Sequence, residues 1–185
     1  AVMLYTRPRR FGKTLNMSML YYFFSNKEKD NDYLFESLKI TENKEMMKHQ
    51  NQYPVIYITL KDLSRETMSL QIDKFAAIIS VIVENYRELF DSSQLSDAQK
   101  NLLLQYREKK SNESDLRDSL YNISMYLSLH YRKKVILLID EYDVPLQSAF
   151  IHDYYDEMIM FMKNIFSSAL KTNNALERGV LTGCL

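Results

Sequence analysis

The chain has 185 residues, 46% of them hydrophobic, which is enough to bury one core of ordinary size in a single globular domain. Lysine plus arginine (24) equals aspartate plus glutamate (24), so the overall charge gives no argument for binding to nucleic acid or to a membrane surface. The single cysteine, Cys184, excludes an intrachain disulfide, and without a long apolar run we expect no membrane span and a reducing, cytoplasmic setting.

Apolar segments alternate with amphipathic ones along the chain, a pattern typical of α/β proteins with a parallel sheet. In chain order we predict a strand over 1–6, a helix from Lys13 to near Ser25, a strand over 53–60, helices over 69–90, 97–110 and 114–131, a strand over 135–140, a helix over 153–172 and a strand over 179–185. The low counts of glycine and proline, three of each, also disfavour an all-β fold. Because the chain begins without methionine and ends on a strand-like run, we expect it to be a fragment of a longer protein.

The stretch "TRPRRFGKTLNMSML", residues 6–20, is predicted to be a loop between a strand and a helix. The phosphate-binding pattern G-x-x-x-x-G-K-[ST] requires this setting, and Gly12, Lys13 and Thr14 match its end. Lys13 would reach the β- and γ-phosphates of a nucleoside triphosphate, and the Thr14 hydroxyl would coordinate Mg²⁺. The loop entrance differs from the pattern because Arg7 replaces the first glycine and is followed by Pro8.

The amides that cradle phosphate come mainly from the later positions of such a loop, so the altered entrance is compatible with binding. The predicted nucleotide contacts are Arg9, Arg10, Phe11, Gly12, Lys13, Thr14 and Leu15. Two interpretations remain open for Arg9 and Arg10. They either contact phosphate or form a solvated basic loop that faces a partner or an acidic neighbour, and we favour the second.

The stretch "VILLIDEYD", residues 135–143, is typical of a Walker B strand, which is buried and ends in acids. Ligands of parallel α/β sheets bind at the carboxyl ends of the strands, so Asp140 is predicted to lie near the phosphate loop. Asp140 would hold Mg²⁺ through water or Thr14, and Glu141 would polarise the attacking water as a general base. Asp143 either positions other residues of the site without touching the ligand or simply ends the strand, and we favour the second.

The chain also resembles a known family, the AAA-ATPase-like domain of bacterial and archaeal proteins. The stretches that carry the resemblance are "YTRPRRFGKTLNMSMLYYFF", "LFESLKI", "PVIYITLKD", "VILLIDEYDVPL" and "GVLTGCL". Members carry Arg-Pro-Arg-Arg-Phe-Gly-Lys-[Ser/Thr] as their own phosphate loop, which implies that Arg7 is the normal residue at its position. The resemblance implies a sheet order of 5-1-4-3-2 and a sensor-like polar residue on the last strand present, for which Thr182 is the candidate. It also implies ATP as the nucleotide and, in many members, a following PD-(D/E)xK nuclease-like domain.

Together these observations predict a P-loop NTPase, a helix-rich three-layer αβα sandwich with a mostly parallel sheet that lacks its last strand. The whole chain, 1–185, is expected to form one partial AAA-ATPase-like domain, and 91–134 is a helical elaboration that either covers the site or contacts a protein partner. We expect ATP binding and Mg²⁺-dependent hydrolysis, with Lys13 and Glu141 as catalytic residues. Two alternatives remain open: a nucleotide-dependent switch or scaffold with little hydrolysis, and a nucleic-acid-associated module that binds through Arg7, Arg9 and Arg10.

Overall fold

The protein is described by a computed structural model that covers residues 1–8 and 10–184. At its centre lies a four-stranded parallel sheet, formed by β1 (Val2–Thr6), β2 (Val55–Thr59), β3 (Val135–Asp140) and β4 (Leu176–Gly183). The strand order is β1-β4-β3-β2, in agreement with the order that the family resemblance implies for these strands. The predicted α/β class is therefore confirmed. β4 begins earlier than predicted, at Leu176, and Leu185, the last residue of the predicted strand, lies outside the described residues.

Helices surround this sheet. In chain order they are α1 (Lys13–Phe24), α2 (Lys44–Met47), α3 (Met68–Asn85), α4 (Asp97–Arg107), α5 (Glu113–Arg117), α6 (Ser119–Tyr131), α7 (Val144–Ile151) and α8 (Tyr155–Phe166). Shorter 3-10 segments span Lys29–Phe35, Lys39–Glu42 and Arg87–Asp91, and a π-helical turn spans Ser167–Lys171. Among the helices described for residues 1–8 and 10–184, none is long and apolar enough to cross a membrane.

Several helical segments differ from the sequence prediction, among them the short α2, which was not predicted. The predicted helix over 114–131 is divided at Asp118 into α5 and α6, and the Asn112 side chain caps the start of α5 by accepting the Asp115 N–H at 2.8 Å. The helix predicted over 153–172 is regular only as far as Phe166, where the π-helical turn begins. Helix α7 was not predicted, since its sequence, VPLQSAFI, is too short and too apolar to show a helical period.

Alternating side chains of β3 face two different layers, because successive residues of a strand point to opposite faces of a sheet. Ile136 and Leu138 pack on one face with Val180 of β4 and Met17 of α1. Val135, Leu137 and Ile139 pack on the other face, in the larger cluster that α3, α4, α6 and α8 cover. Every residue of β3 is consequently buried, which explains its continuous apolar sequence.

The helical region over 91–134 contributes to the same core as the sheet. Leu103 and Tyr106 of α4 and Leu120 and Leu127 of α6 are almost completely buried, in the cluster that also contains Leu137 of β3. Helices α3 and α4 are also in direct contact. These contacts favour the prediction that the region folds as part of one domain.

We expect Leu127→Ala to lower the free energy of unfolding by about 3 kcal/mol, because it removes a fully buried side chain and leaves a cavity in the shared core. Leu129→Ala is the matched control, since Leu129 lies on the same helix and is 41% exposed. The control should change stability by less than about 0.5 kcal/mol. Urea unfolding followed by circular dichroism measures both. If Leu127→Ala lowered the stability of only a separate, minor unfolding transition, the result would contradict a single cooperative core.

Candidate functional site

The carboxyl ends of β1, β3 and β4 meet at one edge of the sheet. The register pairs Thr6 of β1 with Gly183 of β4, and Ile139 of β3 with Leu181 of β4. The segments that follow β1 and β3 therefore lie at the same edge, on either side of the end of β4, although they are far apart in sequence. Between them lies a cavity of about 510 Å³, lined by Arg10, Gly12, Lys13, Thr14, Leu15, Glu141, Asp143, Val144 and Cys184.

The first wall of the cavity is the turn from the loop into α1. Gly12 precedes the helix with φ 71° and ψ 17°, a left-handed conformation that glycine adopts without strain. No side chain among the described residues caps α1, and the first turn contains no acidic residue. Because the first N–H groups of a helix have no partner within it, the amides of Lys13, Thr14 and Leu15 suit an anionic ligand in this cavity.

The Lys13 ammonium lies at the loop entrance. It donates to the carbonyl oxygens of Arg7 at 2.8 Å and Pro8 at 3.0 Å, and it lies 3.4 Å from the Cys184 sulfur. The residues that make this loop unlike the common pattern thus provide carbonyl acceptors for its lysine. Lysine is a compact charge on a flexible stem, so the ammonium can exchange these neutral acceptors for the oxygens of a phosphate.

Behind the cavity lies a buried carboxylate at the end of β3. Asp140 is 1% exposed, and its Oδ1 accepts a hydrogen bond from the Thr182 hydroxyl of β4, itself 3% exposed. Its Oδ2 is buried and has no hydrogen-bond partner among the described residues. An unpaired buried carboxylate oxygen is unfavourable, and a water or a cation-bound water beside this atom would offset that cost.

Glu141 follows Asp140 directly and lines the cavity. Its φ of 56° is unusual for a residue with a side chain and marks the point where the chain leaves β3. Such backbone outliers are concentrated at functional sites. Burial raises the pKa of Tyr57 on the adjacent β2, and the charges of Asp140 and Glu141 raise it further, which is consistent with negative charge gathered at this edge.

The structure brings together most of the residues that the sequence predicted. Arg10, Gly12, Lys13, Thr14, Leu15 and Glu141 all line the cavity, whereas Asp140 lies behind it. Phe11 does not line the cavity and is 64% exposed. Arg9 lies outside the described residues. No residue of the helical region over 91–134 is among the described residues that line the cavity.

Asp143, Val144 and Cys184 also line the cavity, and the sequence analysis did not assign them to it. For Asp143 a simple role in ending the strand was favoured, but β3 ends at Asp140. The sequence feature that could have placed Asp143 at the cavity is its position two residues after Glu141, on the segment that follows the same strand. Cys184 had no signal of its own, because its place depends on β4 being paired between β1 and β3.

The residues present are compatible with Mg²⁺ that arrives with a nucleotide. No group of three or more histidine, cysteine, aspartate or glutamate side chains that could hold a metal ion occurs within residues 1–8 and 10–184. Mg²⁺ does not require one, because it keeps several waters and is commonly bound through one or two carboxylates and the phosphates of the substrate. The Thr14 hydroxyl on the cavity wall and the unpaired Oδ2 of Asp140 provide the oxygen atoms for this arrangement.

Comparison with known proteins gives a family match over the whole chain. A family model described as predicted AAA-ATPase, AAA-ATPase-like, matches residues 1–185. Searches of curated proteins and of solved structures give no significant match. The match covers the sheet and the cavity described above.

The buried pair at the end of β3 and β4 gives a testable prediction. Thr182→Val removes the only donor to the Asp140 carboxylate among the described residues, so we expect the free energy of unfolding to fall by about 1–3 kcal/mol. Thr182→Ser retains the hydroxyl and serves as the matched control. Urea unfolding measures both, and the difference between them should shrink in an Asp140→Ala background, which has no side-chain acceptor. Equal stability of the valine and serine variants would show that this hydrogen bond contributes nothing.

Proposed function

The chain belongs to the AAA-ATPase-like family, and from this premise we propose that it binds ATP together with Mg²⁺ and hydrolyses it. The observation that carries the proposal is the cavity at the carboxyl edge of the sheet. There the uncapped N-terminus of α1, the Lys13 ammonium and the Glu141 carboxylate line one space. A site with donors on one wall and a carboxylate on the other suits a substrate whose phosphates must be held while water is activated beside them.

Each wall has a separate role in this proposal. The amides at the start of α1 bind the phosphate oxygens, and Lys13 leaves the carbonyls of Arg7 and Pro8 to contact the β- and γ-phosphates. Thr14 and, through water, Asp140 would hold Mg²⁺, which would supply positive charge against the phosphate oxygens. Glu141 accepts a proton from the attacking water and orients it. ATP rather than another nucleoside triphosphate is proposed on the family alone.

The setting of the activity is also proposed from the family and the composition. We propose that the domain acts in a reducing, cytoplasmic environment, for which the single cysteine is the supporting observation. In the natural protein a nuclease-like domain that follows the ATPase domain, or a protein partner, would use the nucleotide cycle.

Nucleotide binding is tested by titrating Mg-ATP into the protein in a calorimeter. Lys13→Ala should weaken binding by about 10–100-fold, because it removes a charged hydrogen-bond donor to phosphate. Lys48→Ala is the matched control, since Lys48 is an exposed lysine that pairs with Glu45 on the surface. This variant should bind Mg-ATP as the natural protein does. Equal binding by the two variants would contradict the assignment of Lys13 to the phosphates.

Hydrolysis is tested separately with Glu141→Gln. We expect this variant to bind Mg-ATP within about threefold of the natural protein. Its turnover should be about 10²–10⁴-fold lower, because glutamine cannot accept the proton of the attacking water. Phosphate release is measured at saturating Mg-ATP. Turnover that is the same in both proteins would remove the role of Glu141, and binding without turnover in either would favour the nucleotide-dependent switch or scaffold.

A further inference from the structure

Resting on this proposed function, we infer that Asp143 is a positioning residue of the nucleotide site. Its carboxylate joins the end of β4 to the segment that carries Glu141, and through Cys184 it determines where the Lys13 ammonium lies. The bridge formed by Gln147, Asp143 and Cys184 is called the Asp143 clamp below. It fixes the distance between the phosphate-binding wall and the catalytic wall of the cavity.

The first observation is that both carboxylate oxygens of Asp143 are occupied. Oδ1 accepts the backbone N–H of Cys184 at 3.0 Å, and Oδ2 accepts the side-chain amide of Gln147 at 2.6 Å. Cys184 directly follows β4 and Gln147 lies on α7, so the carboxylate links two separate parts of the chain by hydrogen bonds. Asp143 lines the cavity, but both of its oxygens already accept hydrogen bonds, so it is less suited than Glu141 to act as a base. Hydrogen bonds to ionised groups are stronger in proteins than those between neutral groups.

The second observation is the close approach at Gly183. A Cβ atom at this position would lie 2.6 Å from the Asp143 Oδ1 and 2.6 Å from the Tyr142 ring, distances that real Cβ atoms essentially never show. On the other side of this glycine the Tyr142 N–H donates to the Thr182 carbonyl at 3.1 Å. The end of β4 is therefore tied to the segment after β3 on both sides of Gly183, where any larger residue would displace Asp143 or Tyr142.

The third observation connects the clamp to the phosphate loop. Cys184, whose N–H the clamp holds, places its sulfur 3.4 Å from the Lys13 ammonium. Asp143 itself lies two residues after Glu141 on the same short segment. A shift of this segment relative to β4 would change the separation of Lys13 and Glu141, and positioning errors of about 1 Å can cost about a hundredfold in rate.

Cys184 is the chain's single cysteine and provides a direct reporter of the clamp. Its rate of alkylation by N-ethylmaleimide is measured without nucleotide in the natural protein, Asp143→Ala, Asp143→Asn and Asp73→Ala. Asp73 is an exposed aspartate on α3 and is the matched control. Asp143→Ala should raise the rate about tenfold, the factor that corresponds to a lost charged hydrogen bond. Asp143→Asn, which keeps one acceptor oxygen, should stay within about threefold of the natural protein, as should Asp73→Ala.

Gly183→Ala should reproduce the effect of Asp143→Ala from the opposite side, because its Cβ displaces the carboxylate. All variants are compared at a temperature where circular dichroism shows them folded. An unchanged alkylation rate in folded Asp143→Ala, or equal rates in the alanine and asparagine variants, would overturn the clamp.

The effect on the site is measured by Mg-ATP turnover. Asp143→Ala should lower kcat by about 10–100-fold with KM within about threefold, and Asp143→Asn should restore kcat. A lower unfolding midpoint with an unchanged kcat would show a purely structural role and overturn the positioning role. The alkylation measurement needs no nucleotide. If the natural protein bound no Mg-ATP, the proposed function would be refuted, and the alkylation rates would still test the Asp143 clamp.

Discussion

Parallel pairing of β4 between β1 and β3 is the interaction on which the candidate site depends. Lys13 and Cys184, which are 171 residues apart in sequence, come into contact only because β4 enters the sheet beside β1. The same strand places Thr182 against Asp140 at the end of β3. Since all the strands are parallel, their carboxyl ends open onto one edge, and the segments that follow them can share a ligand.

Electrostatics gives this edge its chemical character. On one side, the start of α1 has neither a capping side chain from the described residues nor an acid in its first turn, so its partial positive charge is available to an anion. On the other side, the buried Asp140 carboxylate has, among the described residues, one hydrogen-bond donor and one unpaired oxygen. Burying such a group lowers stability, and the extensive apolar packing around β3 on both faces offsets that cost.

Glycine is rare in the chain, with three in total, and two of them lie at this edge for different physical reasons. At Gly12 a Cβ would meet no atom within 4 Å, so lack of space does not explain the glycine there. The explanation is its left-handed backbone, with φ 71°. Gly183 is needed because a Cβ would collide with Asp143 and Tyr142. The first glycine shapes the turn into α1, and the second allows the end of β4 to approach the segment after β3 closely.

The sequence by itself determined the α/β class, the positions of the strands and the identity of the loop and acid residues at the candidate site. These features are local, because a buried apolar run, a helical period and a Gly-Lys-Thr turn are each visible within a few residues. Only the tertiary structure decided that Phe11 lies away from the cavity, that Asp143 and Cys184 line it, and that 91–134 joins the core. Those facts depend on strand order and on packing between distant segments, and no single stretch of sequence encodes either one.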